Sequence, residues 1–234
     1  LLENPQFKPI PMATLGTVIP NSSHHFFDDW MRYRQLPPNQ TSVRLLFKEL
    51  CTSFYEVNLR LFKLGMVGEM HGQNAVFVWK DGHAQGILMR DHDALRVCVP
   101  LLQQNGLSDP EYSIKKGYPN TLYNQLPEDL FFFFQTLGIQ VNLRAIIDTL
   151  AQIYSIPPAI LWQDMNASIK QVVTKIGLDC SMQILLNQLL FTEKFWPFKM
   201  LLTPMFEHDD DDPGSMPFGK GRIPNPFLHC HKFL

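Results

Sequence analysis

Gly68-Glu69-Met70-His71-Gly72-Gln73-Asn74 runs into Ala75-Val76-Phe77-Val78-Trp79, then Lys80-Asp81-Gly82-His83, then Gly86-Ile87-Leu88-Met89-Arg90-Asp91. The first apolar run is β-branched and aromatic, the second matches it in length, and Asp-Gly is a preferred two-residue hairpin turn. The pattern predicts a β-hairpin. In a hairpin the start of one strand lies beside the end of the other, so Asn74 and Asp91 are expected close together although seventeen positions separate them. Glu69 and His71 reach the same end from the preceding loop. An Asp-Gly turn between apolar strands is ordinary by itself. Four polar groups converging in an apolar neighbourhood are not, because each unpaired buried charge costs several kcal/mol unless an ion or ligand meets it.

An amide oxygen and a carboxylate are hard donors of the kind Mg²⁺ prefers, and protein kinases use an Asn and an Asp in this way around metal-bound ATP. Asn74, Asp91 and Glu69 are therefore candidate metal ligands. The string Glu69-x-His71-Gly72-Gln73-Asn74, with Arg90-Asp91 closing the hairpin, resembles the signature of the siderophore synthetases that work independently of nonribosomal peptide synthetases, the aerobactin synthetase-like family. A long helix ending in Gly65-Met66-Val67-Gly68, and Lys199 in Phe198-Lys199-Met200-Leu201-Leu202 followed by an acidic loop and Asn225-Pro226, extend the resemblance over most of the chain.

The resemblance implies an α+β fold: a kinase-like palm with a β-hairpin active site, plus a mainly helical C-terminal subdomain. It implies Mg-ATP-dependent adenylation of a carboxylate, commonly of citrate, followed by condensation with an amine or alcohol. His71, Gln73, Asn74 and Asp91 then correspond to nucleotide and metal contacts, with Glu69 as their partner and Arg90 adjacent. Chains of that family are much longer, and this one begins at Leu1-Leu2-Glu3 without an initiator Met, so it is expected to be a C-terminal part. The N-terminal half of the same protein would supply the remaining ATP contacts.

At 234 residues, with 45% hydrophobic and 18% charged, the chain can bury a sizeable core as one large domain or two small ones. A net charge of −2 without Lys/Arg runs gives no nucleic-acid footprint. Leu126 to Leu150 is broken by Pro127, Glu128, Asp129, Gln135, Gly138, Asn142 and Arg144, so no continuous apolar stretch is read as spanning a membrane. Cys51, Cys98, Cys180 and Cys230 are scattered without a C-x-x-C pair, which argues for a reducing, cytoplasmic setting. Ferric-siderophore reductases, whose name is attached to a related C-terminal domain, need a cysteine cluster for an iron-sulfur centre, and this spacing lacks one.

Residues 1–40, with Pro5, Pro9, Pro11, Pro20, Pro37 and Pro38, read as an irregular connecting segment. Residues 41–125 form the palm-like part, opening on a helix capped by Thr41 or Ser42 and running through Val43, Leu46, Leu50, Phe54, Val57, Leu61 and Leu64 to Gly65. Leu95–Val99 reads as a short strand. Residues 126–234 form the helical subdomain, with helices over 129–137, 142–154, 157–176 and 180–190. Phe131–Phe134 reads as core.

Lys199 on an apolar helical segment is either a snorkelling lysine or an inward ammonium that neutralises a polycarboxylate or phosphate. Lys220, Arg222 and Asn225 are expected to close over the same acid, and Arg144 to lie on the surface. His24-His25 and His229-Cys230-His231 read as solvated or partly packed, and His208 to Asp212 as an acidic loop. The favoured chemistry assigns His71, Glu69 and Lys199 to catalysis, His71, Gln73, Asn74, Asp91 and Arg90 to ATP, and Asn74, Asp91 and Glu69 to Mg²⁺. The rivals are a kinase-like phosphotransferase and an inert binding or assembly domain, and a homodimer stays open.

Overall fold

The computed structural model describes residues 7–18, 24–91, 95–114, 121–200, 202 and 219–229. In chain order the elements are β1 (Phe7–Pro11), α1 (Met12–Leu15), α2 (Phe26–Tyr33), α3 (Gln40–Lys63), β2 (Met66–Val67), β3 (Ala75–Lys80), β4 (His83–Met89), β5 (Arg96–Val97) and α4 (Val99–Gln104). There follow α5 (Pro127–Phe133), a π-helical segment (Phe134–Leu143), α6 (Arg144–Tyr154), α7 (Pro158–Lys175), α8 (Cys180–Asn187), a second π-helical segment (Gln188–Thr192), β6 (Phe195–Met200), β7 (Gly219–Pro224) and α9 (Pro226–His229). The fold is α+β, with three small sheets ordered β1-β3-β4, β2-β5 and β6-β7, all antiparallel.

The central helix α3 starts where Asn39 accepts a hydrogen bond from the Ser42 amide, and it ends at Gly65, whose φ of +90° suits the reversal after the last turn. Val43, Leu46, Leu50, Phe54 and Phe62 recur at helical spacing and are all buried. The partner face is α7, tied on by Arg44, whose Nε and Nη2 donate to the two Asp164 oxygens at 2.7 and 3.0 Å. The hairpin β3–β4 forms as expected, with Asp81 at φ 50° and Gly82 at φ 78°, the two left-handed residues of a type I′ turn. Trp30 of α2 donates its indole N–H to the Gly82 carbonyl at 2.8 Å and so fastens that turn.

Three expectations need correction. Residues 1–40 are not irregular where described: β1 pairs with β3 from Phe7↔Lys80 to Pro11↔Val76, and α1 and α2 follow. Its prolines are tolerated because β1 is an edge strand. Two of the expected helices, 129–137 and 142–154, are one continuous helix from Pro127 to Tyr154 that passes through the π-helical segment. By length and composition that helix could cross a bilayer, unlike the interrupted reading, but 72% of its most apolar window is buried inside the protein, as in a core helix. Lys199 lies on a strand, β6, rather than on a helix. The acidic run 208–212, Cys230 and His231 lie outside the described residues.

His25 is 1% exposed and caps α2: Nδ1 accepts from the Phe27 amide at 3.3 Å while Nε2 lies 3.2 Å from the Leu15 carbonyl. That pairing requires the neutral ring with its proton on Nε2, and burial holds the imidazole below its ordinary value. With the folded value depressed, the unfolded chain binds the proton first, so stability is full above the ordinary imidazole range and falls with pH below it. Acidification through pH 6 is expected to lower the melting temperature of the wild type more than that of His25→Asn, which keeps a capping side chain without the titration. Equal slopes in calorimetric scans would remove His25 from this role.

Candidate active site

The loop from Gly68 to Asn74 is held from three sides. The Ala13 amide of α1 donates to the Gly72 carbonyl at 2.9 Å, and a Cβ on Gly72 would lie 2.9 Å from that same Ala13 nitrogen, so only glycine permits the approach. Asn142 of the π-helical segment donates from Nδ2 to the Met70 carbonyl at 2.9 Å. The Asn74 and Ala75 amides both donate to the His71 carbonyl, at 3.0 and 3.1 Å, and turn the chain into β3.

At the open end of the hairpin the Arg90 amide donates to the Asn74 carbonyl at 2.9 Å, so the start of β3 and the end of β4 meet as the sequence predicts. Asn74 is 3% exposed, whereas Gln73, Arg90 and Asp91 are exposed. Asp91 holds φ at 50°, a left-handed conformation that Asp and Asn tolerate better than most residues.

Glu69 faces elsewhere. Its Oε1 accepts from Arg96 Nη2 at 2.5 Å, and its Oε2 lies 3.9 Å from His71 Nε2. The Arg96 guanidinium stacks 4.1 Å from the centre of the Phe133 ring. Burial pushes the Glu69 carboxyl up, but Arg96, His71 and Lys199 together outweigh it and hold it below its ordinary value. Burial and the neighbouring Arg96 lower the Lys199 ammonium, against the pull of Glu69. Glu69, His71, Arg96 and Lys199 thus form one mixed-charge cluster.

Gln140 of the π-helical segment donates to the Pro197 carbonyl at 2.8 Å and fixes β6, the strand that carries Lys199. On the paired strand Lys220 stands opposite Lys199, donates to Asp129 at 3.1 Å and covers the Phe132 ring. Lys220 and Arg222 line a cleft of about 710 Å³ with Lys194, Phe195 and Pro197. Asn225 does not close over a ligand: it is fully buried, donates to the Leu190 and Glu193 carbonyls, and accepts from the Phe227 amide. Arg144 lies on the surface beside Asp148, as expected.

Among the described residues no three His, Cys, Asp or Glu side chains are grouped to hold a metal. Glu69 is taken up by Arg96 and is not gathered with Asp91 into an acidic cage. The amide oxygen of Asn74 and the carboxylate of Asp91 are still a fitting donor type for Mg²⁺, which commonly takes one or two protein oxygens and completes its shell with phosphate and water. Cys51 lies in α3, Cys98 just before α4, and Cys180 opens α8.

The fold has solved counterparts among siderophore synthetases. Petrobactin biosynthesis protein AsbB from Bacillus anthracis superposes with a TM-score of 0.75 at 17% identity, over 98% of this chain and 37% of that one. ATP-bound aerobactin synthetase IucA from Klebsiella pneumoniae superposes with a TM-score of 0.71 at 14% identity, over 97% of this chain and 38% of that one. In sequence, the chain is 35% identical over 190 residues to staphyloferrin B synthase of Staphylococcus aureus, covering 81% of this chain and 32% of that protein. The chain therefore spans about a third of the length of these relatives. Residues 47–213 match the family described as ferric iron reductase FhuF-like transporter, and the chain belongs to that family. Its resemblance to the C-terminal part of the siderophore synthetases that act independently of nonribosomal peptide synthetases holds in both sequence and fold.

Proposed function

We propose that this chain is the C-terminal part of an ATP-dependent ligase of siderophore biosynthesis, with a kinase-like palm built on α3 and the β3–β4 hairpin. The observation that carries the reading is the cluster Glu69, His71, Arg96 and Lys199 at the loop that enters this hairpin. Asn74 and Asp91 hold Mg²⁺, which when bound neutralises the triphosphate of ATP. Gln73 and Arg90, both exposed at the same end, contact the nucleotide. Lys199 receives an acid such as citrate, and His71, oriented by Glu69, contacts the phosphate or the attacking carboxylate. Carboxylate attack on the α-phosphorus expels pyrophosphate, and the amine or alcohol then attacks the acyl carbon and displaces AMP, giving the amide or ester. Remaining nucleotide contacts come from the N-terminal half of the protein.

The word reductase in the family's description does not draw the chemistry to the described thiols, which stand apart in α3, before α4 and at the start of α8. Burial also holds the Cys51 and Cys98 thiols above their ordinary values, away from the thiolate that metal binding or redox exchange uses.

Incubating the full-length protein with Mg-ATP, citrate and hydroxylamine is expected to release AMP and pyrophosphate only when citrate is present. ADP as the product would replace this reading with a phosphotransferase, and no turnover with any polycarboxylate would leave a binding or assembly domain.

A further inference from the structure

Arg96 carries more bonding capacity than its known partners use. Its side chain is 4% exposed on the two-residue strand β5, with Nη2 on Glu69 and the guanidinium face on Phe133. Among the described residues, its Nε and Nη1 are buried and meet no hydrogen-bond acceptor. A guanidinium has five N–H donors, and a buried donor left unmet is destabilising, more so when charged.

A counter-ion for Glu69 alone would gain most from a fork across both carboxylate oxygens. Here Glu69 gives Arg96 one oxygen and turns the other toward His71. Both sides of the guanidinium therefore keep an unmet donor inside the protein. Lys199 acts on the same carboxylate.

We propose that Arg96 receives an oxyanion of the bound substrate: its Nε or Nη1 donors take carboxylate or phosphate oxygens, while Nη2 keeps Glu69 in place. Phe133 fixes the plane in which those oxygens must arrive. The proposal rests on the ligase reading of the cluster for its choice of anions, which come from the acid or from the polyphosphate. A lysine could supply the charge but neither the plane nor the second donor.

Calorimetric titration of the full-length protein with citrate, and separately with inorganic pyrophosphate, tests it in the wild type, Arg96→Gln and Arg96→Lys. Loss of hydrogen bonds to a charged group predicts that Arg96→Gln weakens one of the two anions by roughly 10- to 100-fold while leaving the other unchanged. The affected anion names the source. Arg96→Lys keeps the counter-charge on Glu69, so it carries the comparison if the Gln variant does not fold, with an expected loss of about tenfold. Folded variants that bind both anions like the wild type, or a wild type that binds neither, overturn the proposal. AMP formation is followed in the same samples. AMP from the wild type with unchanged anion affinity in the variants removes this inference and keeps the ligase; anion loss in the variants without AMP from the wild type does the reverse.

Discussion

Asp91→Asn in the full-length protein is expected to lower Mg²⁺-dependent AMP formation by about 10²- to 10³-fold, the usual cost of removing one group aimed at developing charge. Asparagine is the cleaner change because Asp91 sits at φ 50°: Asn accepts that conformation, whereas alanine adds about 1–2 kcal/mol of backbone strain. The side chain is exposed at the end of β4, so the folded protein loses little, within about 0.5 kcal/mol. The signature is therefore a large fall in turnover with an unchanged melting temperature. A folded Asp91→Asn protein that forms AMP at the wild-type rate would take the metal role away from this residue. Asn74 does not offer so clean a test, since it is 3% exposed.

The hairpin was readable from sequence down to its turn because every determinant is local: β-branched and aromatic runs of equal length around Asp81-Gly82. The same is true of the spacing and Gly65 stop of α3, although its cap is Asn39 rather than Thr41 or Ser42. Pairing at a distance was not readable. β1 looked irregular because Pro9 and Pro11 break local patterns, yet an edge strand bonds on one side only and can carry them. Lys199 looked helical because its partner strand, Gly219–Pro224, lies beyond the acidic run. Arg96 looked like an ordinary strand residue; its part emerges only when Glu69 and Phe133 arrive from separate elements. The aromatic run that stacks on it, Phe131–Phe134, was read only as core. Glu69 was not legible as a partner of Arg96, because a carboxylate near an Asn and an Asp reads most simply as a metal ligand.

Asn142→Ala is expected to reduce both stability and turnover, because one side chain joins the scaffold to the chemistry. Asn142 is 3% exposed, and its Nδ2 donates to the Met70 carbonyl, one residue before His71. Removing it leaves that carbonyl without this donor, at a cost of about 1–3 kcal/mol. The backbone that aims Glu69 and His71 then loses its hold on the π-helical segment, whose Gln140 meanwhile keeps β6 and Lys199 in place. The two halves of the cluster would drift apart, and a displacement of about 1 Å can cost roughly 10²-fold in rate. Thermal unfolding and initial rates, both measured well below the transition, separate the effects. The expected result is a lower melting temperature together with a kcat reduced about 10- to 100-fold in protein that is still folded. A destabilised variant that turns over normally at low temperature would mean that Asn142 supports the fold without setting the geometry of His71.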